Sequence, residues 1–284
     1  MGSALRTETP GVSSWETHRV PVVSVLSLKG GVGKTTVTLG LAGAAAAQKL
    51  RCVVVDLDPQ ANATTVLAPD GVQFTANDIL TGDRPVAIGD ALAVSGWGEP
   101  VRVLAGEPAL ERRNHPPDGH PGRHHVRAAL AGLRDADLVL IDCPPSLAEL
   151  TRNALAASDT ALIVTEATAF ALAGAQQALD AVDAVRSAHN LRLRPAGIVV
   201  NRFRVGAAEH RFRLDELIAA YRDLVIDPVL PERSAVTRAQ GAGVPIQRWP
   251  SPGAREVSRV FAGYLTLLTT ARTGAGPFSK GASR

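Results

Sequence analysis

At 284 residues, 45% of them hydrophobic and only 4% aromatic, the chain can form one large domain whose core must be built mainly from Ala, Val and Leu. It contains no apolar run of about 18 residues, and no charged segment leads into an apolar stretch at its start, so neither a membrane-spanning helix nor a signal peptide is predicted. The net charge of +3 is uneven: residues 186–259 hold 13 Arg, no Lys and 7 acidic residues, a surplus of +6, leaving −3 for the rest. A basic C-terminal half is compatible with nucleic-acid binding, although an Arg- and Ala-rich composition also reads as the mark of a GC-biased genome. Cys52 and Cys143 lie in apolar runs without metal-ligand spacing, which suits a reducing cytoplasm and no disulfide framework.

Residues 1–19 mix Ser, Thr, Gly and charge without periodicity and read as a mobile leader. Val20–Leu28 is an apolar β-branched strand ending in a Gly-rich turn, followed by an Ala- and Leu-dense helix over Thr35–Gln48. Arg51–Leu57 is a second strand, of the continuously apolar kind found in parallel sheets. Further strands are predicted at Val101–Ala105, Asp137–Ile141, Ala161–Thr165, Ala196–Val200 and Leu224–Ile226, with amphipathic helices over Ala171–Ala188, Arg211–Tyr221 and about Ala254–Thr269. Strand alternating with helix implies an α/β fold: a doubly wound, mostly parallel sheet with helices on both faces, covering residues 20–271. Residues 272–284 read as a disordered tail. Glu111–His125 interrupts the pattern with Pro, Gly and His115, His120, His124 and His125; their spacing fits no helical or finger-like ligand set, so an exposed loop is expected.

The strongest chemical signal is Lys29-Gly30-Gly31-Val32-Gly33-Lys34-Thr35-Thr36, between the first strand and the first helix. Such a loop gathers backbone N–H groups at the positive end of a helix, and glycines let it curl close to phosphates. Residues Gly30 to Thr36 are the expected nucleotide cradle, with Lys34 on the β- and γ-phosphates and the Thr35 hydroxyl on Mg²⁺. Two other acidic segments end strands at the edge where ligands of such sheets bind: Asp56-Leu57-Asp58-Pro59-Gln60-Ala61-Asn62-Ala63-Thr64, and Asp142-Cys143-Pro144-Pro145-Ser146. Asp142 has the Walker B arrangement of a magnesium-holding carboxylate. Cys143 reads as a packed small residue, not a nucleophile.

Leu28 stands where the usual phosphate loop has Gly, and Lys29 opens the motif instead. This form resembles the deviant Walker A loop of the ParA/MinD ATPase superfamily, and the two acidic segments resemble its switch regions. The resemblance spans about residues 20–270 and implies an ATP- and Mg²⁺-dependent ATPase whose two subunits pair over the nucleotide. It implies that Lys29 reaches the partner's phosphates, that Asp58 positions the attacking water, and that Asp56 supports the magnesium shell. It also suggests that Asn201 contacts adenine and that Pro228–Pro231, with Glu232 and Arg233, closes over the base.

Within the superfamily the segments favour the small ParA type, which lacks a helix-turn-helix and binds DNA non-specifically. The C-terminal end lacks the basic, bulky apolar face of a membrane-inserting helix, and the cysteines do not suit a subunit-bridging cluster. The implied role is plasmid or chromosome partition on the nucleoid, with a ParB-like stimulating partner. Arg233, Arg238, Arg248, Arg255 and Arg259 are the candidate DNA contacts, although Ser251-Pro252-Gly253-Ala254 lacks the family's basic residue before the last helix. The alternatives are a MinD-like positioning ATPase working on a membrane or protein scaffold, and a metabolic P-loop enzyme.

Overall fold

A computed structural model of the chain describes residues 20–81, 86–114 and 124–270. The leader, the tail from 272, and His115 and His120 lie outside the described residues. A seven-stranded sheet forms the centre, in the order β3-β4-β2-β5-β1-β6-β7. Its strands are β1 (Val22–Leu26), β2 (Cys52–Asp56), β3 (Ala93–Val94), β4 (Val101–Leu104), β5 (Leu138–Asp142), β6 (Thr160–Glu166) and β7 (Arg194–Asn201). All pairings are parallel except that of β3 with β4 at one edge. The inner strands are buried on both faces, which is why they read as unbroken apolar runs.

Alternate strand residues face two separate cores. On one side Val22, Leu26, Val53 and Val55 meet the helices α3 (Ala76–Thr81), α5 (His125–Leu130), α6 (Glu149–Ala157) and α7 (Ala171–Ala188). On the other, Val23, Val25, Cys52 and Val54 meet α1 (Lys34–Ala47), α2 (Asn62–Leu67), α9 (Ser234–Gly241) and α10 (Pro252–Thr270). The remaining helices are α4 (Ile88–Ala91) and α8 (Ala208–Tyr221). Helix α1 is apolar along most of its length because it lies between the sheet and α10; Gly40 is where Phe261 presses against it.

The predicted strand at Leu224–Ile226 is not one. Arg222–Leu224 is a 3-10 turn, and Val225 forms only an isolated bridge to Ile198. Ile226 donates one hydrogen bond to Ile198 O, and Pro228, lacking an N–H, cannot extend the ladder. Segment Glu111–His125 begins as the end of a 3-10 helix over Pro108–Asn114 and ends at the start of α5, where the ring of His125 bonds to Leu80 O. No described helix is long and apolar enough to cross a membrane. At the start of α10 the Ser-Pro pair has a local reason. The Ser251 hydroxyl accepts from the Ala254 N–H, and Pro252 fills a first-turn position where a missing N–H costs nothing.

Candidate functional site: a phosphate loop over two buried carboxylates

The C-terminal ends of β1, β2, β5 and β7 converge at one edge of the sheet, and every acidic or amide residue singled out in the sequence sits there. Leaving β1, the chain turns through Gly31 (φ 82°) and Gly33 (φ 95°), both in the left-handed region that favours glycine. Helix α1 then begins at Lys34 with no side-chain cap and no acid in its first turn. Its first N–H groups and its positive end therefore remain available to an anion. Lys34 is buried, 5% exposed, at the mouth of this curl.

Beneath the loop, Asp56 and Asp142 are register partners on adjacent parallel strands, and both are fully buried. Thr35 Oγ1 donates to Asp142 Oδ2 at 2.7 Å, and Thr38 Oγ1 donates to Asp142 Oδ1 at 3.0 Å. Burial pushes the Asp142 carboxyl up to about 8, and the Asp56 charge adds to this, against the opposing pull of Thr35, Thr38 and Lys34. Asp56 is pushed up to about 6, again chiefly by burial. Its Oδ2 accepts from Thr64 N at 2.8 Å and from Thr64 Oγ1 at 2.7 Å, and its Oδ1 accepts from Asp58 N at 3.2 Å. Asp56 thus spends its oxygens on shaping the segment after β2, while Asp142 faces the loop. Asp58 is 6% exposed, and its Oδ1 accepts from Gln60 N at 3.0 Å.

Two carboxylates drawn this close beneath a buried ammonium and a threonine hydroxyl form a hard-oxygen donor set short of positive charge. Thr35 and Asp142 suit a magnesium ion, and the glycine curl with Lys34 suits phosphates.

Several contributors were given no role from the sequence. Thr38 lies one turn after Thr35 on the same face of α1, a spacing that could have flagged it. Thr64 Oγ1 accepts from Gly106 N at 2.9 Å while donating to Asp56, and any Cβ at Gly106 would lie 2.9 Å from Asp56 Cγ. Gln240 on α9 donates to Thr36 Oγ1 at 3.1 Å. Arg202 donates to Gly31 O and to Glu166.

Asn201 stands under the loop, 2% exposed, and its amide donates to Val32 O at 2.7 Å. Pro231 is half-buried and bridges to Phe203, while Glu232 beside it pairs with Arg204. Cys143 is fully buried, and burial raises its thiol well above the ordinary range, so it stays protonated. Lys29 is exposed; its backbone N–H donates to Ser27 Oγ, and its carbonyl accepts from the same hydroxyl. Of the candidate DNA contacts, Arg233 is held in a two-point ion pair with Glu256 at 2.7 and 2.8 Å. Arg238, Arg248, Arg255 and Arg259 are exposed on α9, α10 and the turn between them.

Fold and loop define a P-loop nucleoside triphosphatase. A family model described as an AAA domain matches residues 20–194. The chain is 31% identical over 229 residues to the "Chromosome partitioning protein ParA" of Myxococcus xanthus, covering 79% of this chain and 80% of that one. It is 34% identical over 260 residues to the "Chromosome-partitioning ATPase Soj" of Thermus thermophilus, covering 85% and 94%. Among solved structures, a cobyrinic acid a,c-diamide synthase from Mycobacterium smegmatis with bound ATP analog and magnesium superposes with TM-score 0.75 at 30% identity, covering 90% and 96%. The chain belongs to the ParA/MinD family of deviant Walker A ATPases, with ATP and Mg²⁺ as the groups its site fits.

Proposed function

We propose that the chain is a ParA-type ATPase that partitions plasmid or chromosomal DNA, switching between an ATP-bound homodimer that holds DNA non-specifically and a released state. The observation that carries the proposal is Lys29. Its side chain stands on the exposed rim of the loop, and among the described residues no carboxylate pairs with it. A lysine kept at that position and unused within its own subunit is placed to meet a second subunit across the nucleotide. Phe170 and Val205, each four residues beyond the ends of β6 and β7 at this same sheet edge, are 73% and 64% exposed and add apolar area for such pairing.

Within one subunit, the Gly30–Thr36 backbone and Lys34 hold the phosphates, and Thr35 and Asp142 hold the ion. Mg²⁺ held there would supply positive charge against the negative charge that grows on the phosphate oxygens during transfer. Asp58, buried beside the site, orients the attacking water, and Asp56 keeps the Asp58 segment in place through its own hydrogen bonds. Lys29 supplies positive charge to the partner's site. The dimer brings together two arginine faces, built from Arg238, Arg248, Arg255 and Arg259, that bind phosphate backbones. A ParB-like partner stimulates hydrolysis and so sets the release, which places the protein in the cytoplasm on the nucleoid.

Lys29→Ala tests this directly. The variant should bind ATP as a monomer by light scattering, while the parent dimerises with ATP. A variant that dimerises normally rules out the trans-acting lysine. The likeness to a cobyrinic acid a,c-diamide synthase supports a second reading, turnover of a small molecule. That reading requires hydrolysis to respond to such a substrate, and to be indifferent to DNA and protein partner.

A further inference from the structure

We infer that Asn201 and Arg202 act as a positioning pair that holds the phosphate loop in its binding shape, with Arg202 setting how tightly ATP is held; this rests on reading residues 29–36 as the nucleotide loop. Successive side chains of a strand point to opposite faces, so two neighbours do not ordinarily reach one loop. At the end of β7 they do. Asn201 Nδ2 donates to Val32 O, and Arg202 Nη1 donates to Gly31 O, both at 2.7 Å.

What breaks the alternation is the backbone of Arg202, whose φ of 52° lies in the left-handed region that L-residues other than Asn and Asp seldom enter. An unfavourable conformation that persists must be held by its surroundings. Here Arg202 Nη1 also donates to Glu166 Oε1 at 2.8 Å, and Glu166 is the register partner of Asn201 on the neighbouring strand. The guanidinium is thereby braced across β6 and β7 while it reaches the loop.

The consequence for the loop is geometric. With the carbonyls of Gly31 and Val32 drawn towards β7, the N–H groups of Val32 and Gly33 point the opposite way, because each trans peptide sets its N–H against its C=O. Two consecutive N–H groups on one side form a concavity that binds anions. A glycine-rich loop is mobile unless something fixes it, and ordering it only when ATP arrives would weaken binding. The fit is close: a Cβ on Gly33 would lie 2.1 Å from Asn201 Nδ2, so only glycine is accommodated over the amide.

The test is calorimetric titration of MgATP into the parent and into Arg202→Ala, Arg202→Gly and Arg202→Lys, with Lys34→Ala as the loop control and a melting curve for each. Loss of one hydrogen bond from a charged donor predicts about tenfold weaker ATP binding for Arg202→Ala, with KM for ATP raised and kcat little changed. Arg202→Gly relieves the backbone but cannot reach Gly31, so it should melt higher than Arg202→Ala and bind ATP as poorly. Arg202→Lys should recover part of the affinity. The inference is overturned if Arg202→Ala binds ATP like the parent, or if Arg202→Gly restores stability and affinity together, since the arginine would then be merely structural. If the parent itself binds no ATP, or binds it no better than Lys34→Ala, the nucleotide reading falls and takes this inference with it.

Discussion

Helix α1 delivers Lys34 and Thr35 to the site, and α10, which carries Arg255 and Arg259, packs against it at Gly40. A Cβ added at Gly40 would lie 2.1 Å from Phe261 Cζ, far inside contact distance, and Phe261 is only 1% exposed and has nowhere to swing. Gly40→Ala should gain about 1 kcal/mol from helix propensity. Overpacking a filled core costs about 2 kcal/mol, leaving the variant about 1 kcal/mol less stable. Phe261→Ala alone removes a buried ring and should cost about 3–5 kcal/mol. In that background the new methyl enters vacated space, so Gly40→Ala should turn stabilising by about 1 kcal/mol. The two substitutions are thus coupled by about 2 kcal/mol in favour of the double variant. Urea unfolding of the four proteins, followed by two probes to check for a single transition, measures this. Free energies that add to within about 0.5 kcal/mol would refute the packing argument.

The remaining expectations concern the site. A carboxyl raised in the folded state stabilises the fold fully below its ordinary range, and that contribution is lost as pH rises through the folded value, here about 8 for Asp142. The melting temperature of the nucleotide-free, magnesium-free protein should therefore fall from about pH 5 to about pH 9, and Asp142→Asn should flatten the fall; an unaltered slope removes Asp142 as its source. Asp58→Ala should keep ATP binding while losing hydrolysis, trapping a dimer that still retains DNA, and a variant that hydrolyses normally excludes Asp58 from the chemistry. Reversing the charge at Arg255 and Arg259 together should weaken DNA binding by more than about tenfold, with a shallower salt dependence. Arg233→Gln, which removes a guanidinium already paired with Glu256, should change DNA binding less than about twofold.

What could be read from the chain alone was whatever chemistry is written in consecutive residues. The loop from Lys29 to Thr36, the strand-ending Asp56 and Asp142, and the parallel sheet with both faces covered all follow from local pattern, and six of the seven strands lie where expected. Leu224–Ile226 misled because three apolar residues look alike whether they pair along a ladder or touch a strand once. The antiparallel edge strand β3 is two residues long, too short to show a period. Contacts between distant segments left no local trace. Arg233 meets Glu256 only because the turn into α10 folds it back, and Gly253 leaves room for its side chain. Arg202 betrays itself only through its backbone angle and the loop it touches, neither of which a sequence displays.

The central claim is that ATP, by pairing two subunits, switches on DNA binding. Retention of the chain on non-specific duplex DNA, measured in parallel with ATP, with ADP and without nucleotide over a series of salt concentrations, tests it most directly. The account predicts tight retention with ATP alone, falling steeply with salt as counterions are released from the phosphates. Equal retention in all three conditions would contradict it.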